Sequence, residues 1–517
     1  MYGLFAARRD WRLVRYPNAG IAGIDRQATW YGEVRVPSPT TTSPDVHASL
    51  RGTVQECHLM SGAGDTRLRI AVIGTGISGL SAAWLLAGPH DVTVYEADTR
   101  VGGHCNTLTV DAGDGNVAVD TGFIVCNPDT YPNLIALFEH LRVPTVPTEM
   151  SFAVSLGSGA LEYSGSGIQG LFAQRSNLVR PRFWSMLRDL LRFYADAPRD
   201  LPLMGDRTLG EYLDWRGHGR AVREDHLYPM AGAIWSIPAG QVALYPARAF
   251  VAFCQNHGLL RVTGRPVWRT VTGGSREYVS RMVAGLGNRV RTGAPVTAVR
   301  RDVDSVTVTA AGSAETYDHV VIGAHADQAL RMLADPDDDE TRLLSLFRYG
   351  RNDTILHTDS RLMPRRRSAW SSWNYLAPDR APGTPFPTPS PLIESRSALS
   401  VTYWMNRLQA LPTRTNLFVT LNPHTMPPDE HVLARMTYEH PILDGPAIAA
   451  QPALWSLQGR RRTWFCGAWF GAGFHEDGLQ SGLAVAEQLG GVRRPWRVAN
   501  ESGRIHVGAV PRLASVA

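Results

Sequence analysis

Lysine is missing from all 517 residues, so each of the 52 basic side chains is an arginine. That absence excludes a P-loop phosphate lysine, a Schiff-base lysine and a lysine general base. Cysteine is scarce: Cys57, Cys105, Cys126, Cys254 and Cys466 are widely spaced, odd in number and form no C-x-x-C pair. This excludes a disulfide scaffold and a zinc site, predicts no metal, and fits a reducing compartment. Charge of one sign is lacking too; a scattered net +5 does not argue for nucleic acid. The long apolar stretch from Ile70 to Ala87 is broken by three glycines at motif spacing and reads as strand, turn and helix, not a membrane span. No basic start followed by an apolar run opens the chain, so no signal peptide is predicted and a cytoplasmic location is expected.

What is present supports a large core, with apolar residues at 44% and charged ones at 19%. Residues 1–66 mix Arg, Pro, Ser and Thr without periodicity and read as a poorly ordered extension. Met60 stands just before the first strand and is the expected translational start. From Arg67 the pattern is globular. Arg69-Ile70-Ala71-Val72-Ile73 is a buried strand, 77–88 a helix, and Asp91 to Glu96 a second strand, which together open a βαβ unit. Helical patterns follow near 131–141, 181–197, 209–216 and 246–256. Several β-rich runs fill 289–323, short strands alternate with Pro-rich turns over 353–440, and 491–517 reads as a loose tail.

Gly74-Thr75-Gly76-Ile77-Ser78-Gly79 is G-x-G-x-x-G, placed between an apolar strand and a helix rich in small residues. Gly74 permits the tight turn, Gly76 lets backbone approach a pyrophosphate, and Gly79 lets helix and sheet pack closely. The helix N-terminus, with Ile77 and Ser78, attracts phosphate. Glu96 ends the second strand, about 20 residues on, where a carboxylate accepts from ribose hydroxyls. A second glycine pair in Arg100-Val101-Gly102-Gly103-His104, followed by Gly122, brings backbone close to the rest of a longer cofactor, which favours FAD over NAD. Near the other end stand Gly467-Ala468-Trp469-Phe470 and Glu476-Asp477-Gly478-Leu479-Gln480-Ser481-Gly482. A helix starting near Gly478 aims its positive end at a ligand, and reduced flavin is anionic. Gly165-Ser166-Gly167-Ile168-Gln169-Gly170 repeats the glycine spacing without a buried parallel strand before it or an acidic strand end after it. No built-in NADPH domain is predicted there, and the electron partner is left open.

E-x(3)-R-x-G-G after G-x-G-x-x-G, with a G-x-S-G turn before the last helix, resembles the flavin-containing amine oxidase superfamily, which includes protoporphyrinogen oxidases and carotenoid desaturases. Strings such as Thr121-Gly122-Phe123-Ile124-Val125, Ser371-Ser372-Trp373-Asn374-Tyr375-Leu376 and Gly473-Phe474-His475-Glu476-Asp477-Gly478 resemble a branch of amine-oxidase-like oxidoreductases. Genes of that branch commonly accompany cyclopropane-fatty-acyl-synthase-like methyltransferases. The resemblance implies an α/β fold: a discontinuous Rossmann-type FAD domain interleaved with an α+β substrate domain containing an antiparallel sheet. It assigns FAD-binding segments to 67–125, 265–335 and 455–490, and substrate-domain parts to 126–264 (helical) and 336–454 (β-rich). It further implies cofactor contacts at Arg100, Gly102, Gly103, His104, Gly122, Val296, Gly467, Asp477, Gly478 and Ser481. His104 stands where many members carry arginine near the pyrophosphate, and Ala468 where an acidic residue often meets the ribitol.

Without lysine, acid–base work falls to other side chains. His475 beside the flavin-binding turn is the candidate catalytic or flavin-tuning imidazole; a structural cap of the last helix explains it equally well. Aromatics such as Trp235, Trp373, Tyr403 and Trp404 suit either an apolar substrate or core packing. On the helix at 180–198, Phe183, Met186, Leu187, Leu190, Leu191 and Tyr194 share a face with Arg188 and Arg192 off it. That pattern fits a core-facing helix or a peripheral contact with the inner face of a membrane. The expected function is an FAD-dependent oxidoreductase acting by hydride transfer on a carbon–carbon bond of an apolar, lipid-like or unsaturated acyl substrate. The alternatives are an amine oxidase releasing aldehyde and hydrogen peroxide, and a non-catalytic FAD-binding partner protein.

Overall fold

A computed structural model describes residues 67–236, 241–385 and 400–509. The extension expected over 1–66 lies outside the described residues, as does the end of the chain from 510. Arg69–Ile73 is buried at every position after the first, and a run with no solvated face takes the middle of a parallel sheet. It pairs in parallel with Asp91–Tyr95 on one side and His319–Ile322 on the other. Val290–Arg291 and Thr463–Phe465 extend the two edges, also in parallel. All five strands therefore end on the same side, and Gly74, Glu96, Gly323 and Gly467 follow four of those ends. Ligands of open α/β sheets bind at the carboxyl ends of the strands, so the topology gathers these residues at one site.

Helix Ile77–Leu86 packs against both the sheet and the late helix His475–Gly490, and its small residues make room for that. A Cβ on Gly482 would stand 2.1 Å from the Ser78 carbonyl oxygen, so the two helices touch backbone to backbone. The late helix begins at His475, three residues before the start expected from its glycine.

The second layer is a seven-stranded sheet. In spatial order its strands are Val432–Ile442, Arg348–His357, Phe418–Leu421, Ser400–Trp404, Trp373–Ala377, Phe152–Leu156 and Leu161–Ser164. Every pairing is antiparallel except that of Trp373–Ala377 with Phe152–Leu156. Leu161–Ser164 is thus an antiparallel edge strand, and the glycine turn after it leads into a four-residue helix. That geometry lacks the buried parallel strand a second dinucleotide site needs.

Helices Pro181–Asp200, Leu209–Trp215, Tyr228–Trp235 and Ala247–Asn256 build a second core. Along the first, Phe183, Met186, Leu187, Leu190 and Phe193 are buried, while Trp184 and Leu191 are 48% and 45% exposed. Leu191 was expected on the core face. It follows Leu190 by one residue, about 100° around the helix, and so sits at the edge of that face, half exposed at the cavity wall. A single π-helical turn, Arg223–Leu227, precedes Tyr228–Trp235. Among the described residues no helix is long and apolar enough to cross a membrane.

Residues 491–509, expected as a loose tail, pack onto the dinucleotide unit. Arg494 is 2% exposed and bonds Glu487 (2.8 Å) and Asn133 Oδ1 (2.8 Å), and Ile505 is buried. The stretch is polar because its arginines neutralise buried carboxylates.

Candidate active site

A cavity of about 1140 Å³ runs from the carboxyl ends of the parallel strands to the seven-stranded sheet and the helical core. Gly74, Gly76, Ile77, Ser78, Glu96 and Gly103 line its dinucleotide end, together with His104, Gly122, Val296, Gly467 and His475. The turn is braced locally. The Thr75 backbone N–H donates to Glu96 Oε2 at 2.8 Å, and the Thr75 hydroxyl donates to the same oxygen. Gly102 N–H in turn donates to Thr75 Oγ1 at 3.0 Å, tying the second glycine pair to the first turn. A Cβ on Gly103 would stand 3.0 Å from the Gly76 Cα, so the two glycine segments meet backbone to backbone.

The other residues expected at the cofactor lie behind this surface. Gly79 packs under the turn. Gly478 lies against Ile77, where a Cβ would come within 2.9 Å of Ile77 Cγ2. Ser481 Oγ accepts from Gly467 N–H at 3.0 Å and holds that turn from below. Asp477 is a correction. Its carboxylate is fully buried away from the cavity, paired with Arg504 Nε at 2.6 Å and accepting from Phe474 N–H at 2.8 Å. Burial pushes its pKa up and Arg504 pulls it back, the signature of a structural ion pair. The 478–482 turn contributes packing, not a side chain that faces the ligand.

The residues present fit an FAD. A Cβ on Gly76 would point into open space with nothing within 4 Å, which leaves a cradle floored by backbone. Arg100 Nη1 and His104 Nε2 are both buried without a protein partner. His104 lies 5.4 Å from His440, ring to ring, and burial followed by the charges of His440 and His325 holds its pKa well below the imidazole value. Three imidazoles on the cavity wall, with the Arg100 guanidinium near enough to act on His104, are chemistry suited to a pyrophosphate. His440 escaped the sequence analysis, and His325 reads there as a structural histidine, whereas both line the cavity. Tyr438 and His440 alternate on one strand and so share a face, the one pattern that could have marked His440. With the ribose carboxylate removed, Glu96→Ala is expected to weaken FAD by about 1–3 kcal/mol while the chain stays folded. Equilibrium titration of flavin fluorescence checks this, and an unchanged affinity would mean Glu96 is misassigned.

His475 lies on the cavity wall in a compact cluster. Its ring stacks on Phe123 with centroids 3.9 Å apart and planes 12° from parallel. Its Nε2 is 2.6 Å from Tyr278 OH and 3.1 Å from Cys105 Sγ, and those two atoms are 2.6 Å from each other. Burial pushes the His475 pKa down to about 3 and the Cys105 thiol up to about 12. The trio is therefore neutral at physiological pH, a fixed aromatic and hydrogen-bonding wall with no ready proton to donate.

A discontinuous parallel sheet, a glycine turn at its carboxyl edge and a large cavity shared with an antiparallel sheet define a dinucleotide-dependent oxidoreductase. The chain belongs to the flavin containing amine oxidoreductases, whose family model matches residues 77–371. The family binds FAD, and this protein is an FAD-dependent enzyme. A curated relative, 4,4'-diapophytoene desaturase of Staphylococcus aureus (strain bovine RF122 / ET3-1), is 40% identical over 72 residues, which is 14% of this chain and only 14% of the relative's length. Solved structures agree in fold. A putrescine oxidase bound to putrescine matches at TM-score 0.57 with 16% identity, covering 82% of this chain and 99% of the other. A CLA-producing fatty acid isomerase from P. acnes matches at TM-score 0.57 with 16% identity, covering 82% and 98%.

Proposed function

We propose that this flavoenzyme oxidises or reduces a carbon–carbon bond of an apolar acyl substrate. One observation carries the reading: the substrate half of the cavity is walled by apolar and aromatic side chains, among them Leu187, Leu190, Met230, Ile234, Trp235 and Phe253. The acidic lining residues are Glu96 and Glu439, the first at the ribose turn and the second 3.5 Å from His325. Neither stands where it would hold an ammonium ion in the apolar half. An acyl chain needs only apolar walls, whose burial is worth about 25 cal/mol per Å².

Bound flavin supplies hydride transfer. The chain's own part is to hold the cofactor with the Gly74–Gly79 turn, Glu96, Arg100 and His104. His475 and Phe123 form the wall beside it, and the cavity excludes water from the reacting bond. The outward face of helix Pro181–Asp200, with Trp184 and Leu191 among Arg188 and Arg192, supports a peripheral contact with an anionic membrane that would deliver such a substrate.

Anaerobic stopped-flow tests the substrate class. Unsaturated or methyl-branched acyl lipids are expected to change the flavin spectrum, directly or in NAD(P)H-linked turnover, while putrescine and simple primary amines leave it unchanged. Rapid bleaching by an amine with aldehyde formed, and with lipids inert, would reverse the reading in favour of amine oxidation.

A further inference from the structure

Ser164, Ser166, Tyr194, His226 and Arg265 bring polar groups to the wall of the apolar half of the cavity. His226 sits on the π-helical turn Arg223–Leu227. Such a turn wedges an extra residue into a helix and recurs at functional sites. The imidazole is stacked on Tyr163 and set edge-on to Phe152, so its orientation is fixed. Tyr163 OH donates to the Asp225 carbonyl oxygen at 2.7 Å and stands 2.9 Å from His226 Nδ1. With the phenolic proton directed to that carbonyl, Nδ1 carries the imidazole hydrogen and donates to the phenol oxygen. Nε2 is then a bare lone pair, and it is buried with no protein partner.

Tyr163, from the edge strand, occupies the other ring nitrogen. Tyr194, from helix Pro181–Asp200, lines the same cavity. The Asp225 carboxylate is turned away to Arg182 at 2.7 Å. Arg265 comes from the loop after Leu259, and its field reaches both His226 and Tyr194. Burial, reinforced by Arg265, pushes the His226 pKa down to about 4, so the imidazole is neutral while the cavity is empty. Arg265 is exposed, and its Nε donates to the Arg261 carbonyl at 2.7 Å. Leu191 and Val262 line the cavity yet are 45% and 44% exposed, so Arg265 stands at the mouth.

We propose that His226 and Arg265 form a carboxyl-binding subsite that anchors the head of a free long-chain fatty acid at the cavity mouth, its chain running inward. This deepens the acyl reading above and rests on it. A neutral imidazole offering only a lone pair finds no hydrogen-bond donor in an ester or a phosphodiester. A carboxyl group can share a proton between one oxygen and Nε2 while its other oxygen faces the guanidinium. A fatty acid is an anion in neutral water, so its binding must take up a proton, held between carboxyl and imidazole.

Calorimetry on the holoenzyme at about pH 8, in two buffers of different ionisation enthalpy, reads that proton directly. Oleate is expected to bind with uptake of about one proton, as the folded-in carboxyl and His226 share it. Methyl oleate and oleyl methyl phosphate, a phosphodiester without hydroxyls, are expected to bind at least about tenfold more weakly and without uptake. His226→Phe should abolish the uptake and reduce oleate to the affinity of its methyl ester, with FAD content and unfolding midpoint as the folding control. Arg265→Gln, an exposed change that leaves folding intact, should weaken oleate severalfold and keep the uptake. Equal affinity for oleate and methyl oleate, phosphodiester binding as tight as oleate, or uptake that survives in His226→Phe would each overturn the subsite. If no oleoyl or oleyl compound binds whatever its head, the acyl reading itself fails and the subsite with it.

Discussion

Gly76→Trp is expected to yield a folded, colourless protein. Gly76 has φ −60°, which any residue adopts, and a Cβ there meets nothing within 4 Å. The fold therefore accepts the side chain, and the indole projects into the space where the backbone of Gly76 and Gly103 would receive the pyrophosphate. FAD affinity should fall by at least about a hundredfold, since a ring of that size cannot share the cradle with phosphate. The comparison must be made between apoproteins, because bound cofactor adds stability of about 4 kcal/mol at a thousandfold excess over Kd. The apo unfolding midpoint should match the wild type within a few degrees, and flavin titration should find no saturable binding. Retained yellow colour would show that the cofactor lies elsewhere.

Gly79→Ala, three residues on, should do the opposite and strike the fold. Its Cβ would stand 2.2 Å from the Gly74 carbonyl oxygen and 3.6 Å from the Gly323 Cα. Both neighbours are backbone, and both are pinned: Gly74 N–H donates to the Tyr95 carbonyl at 2.7 Å and Gly323 N–H to the Ile73 carbonyl at 2.8 Å. No side chain can swing aside, so helix Ile77–Leu86 must lift from the sheet. Overpacking of this kind costs about 1–3 kcal/mol and more where backbone must move. Denaturant unfolding of the apoprotein is the measurement, with Gly76→Ala as the silent neighbour. An unaltered midpoint for Gly79→Ala would show that the turn is looser than its contacts imply.

The contrast between these two glycines shows what the sequence could reveal. The turn glycines and Glu96 were legible because a strand, a tight turn and a helix are neighbours along the chain, and backbone geometry fixes their spacing. Antiparallel strands were legible in kind from their β-rich runs. His104 was legible through the resemblance, but the cluster it forms was not, because His104, His325 and His440 come from three distant segments and meet only when the sheets close. Asp477 misled because the resemblance assigned it from its place beside the flavin-binding turn, which does not reveal what its side chain pairs with. Its partner Arg504 lies in a stretch whose polar composition hid its packing. His226 carried no signal at all, since its aim depends on a π-turn that no periodicity announces.

The parallel sheet also dictates when the cofactor can arrive. Its central strand leaves the ribosome early, yet the edge strand Thr463–Phe465 and the helix beneath Gly467 are among the last parts made. A flavin met during synthesis finds a glycine turn with no opposite wall. Loading therefore waits until the first and last segments of the site have folded together.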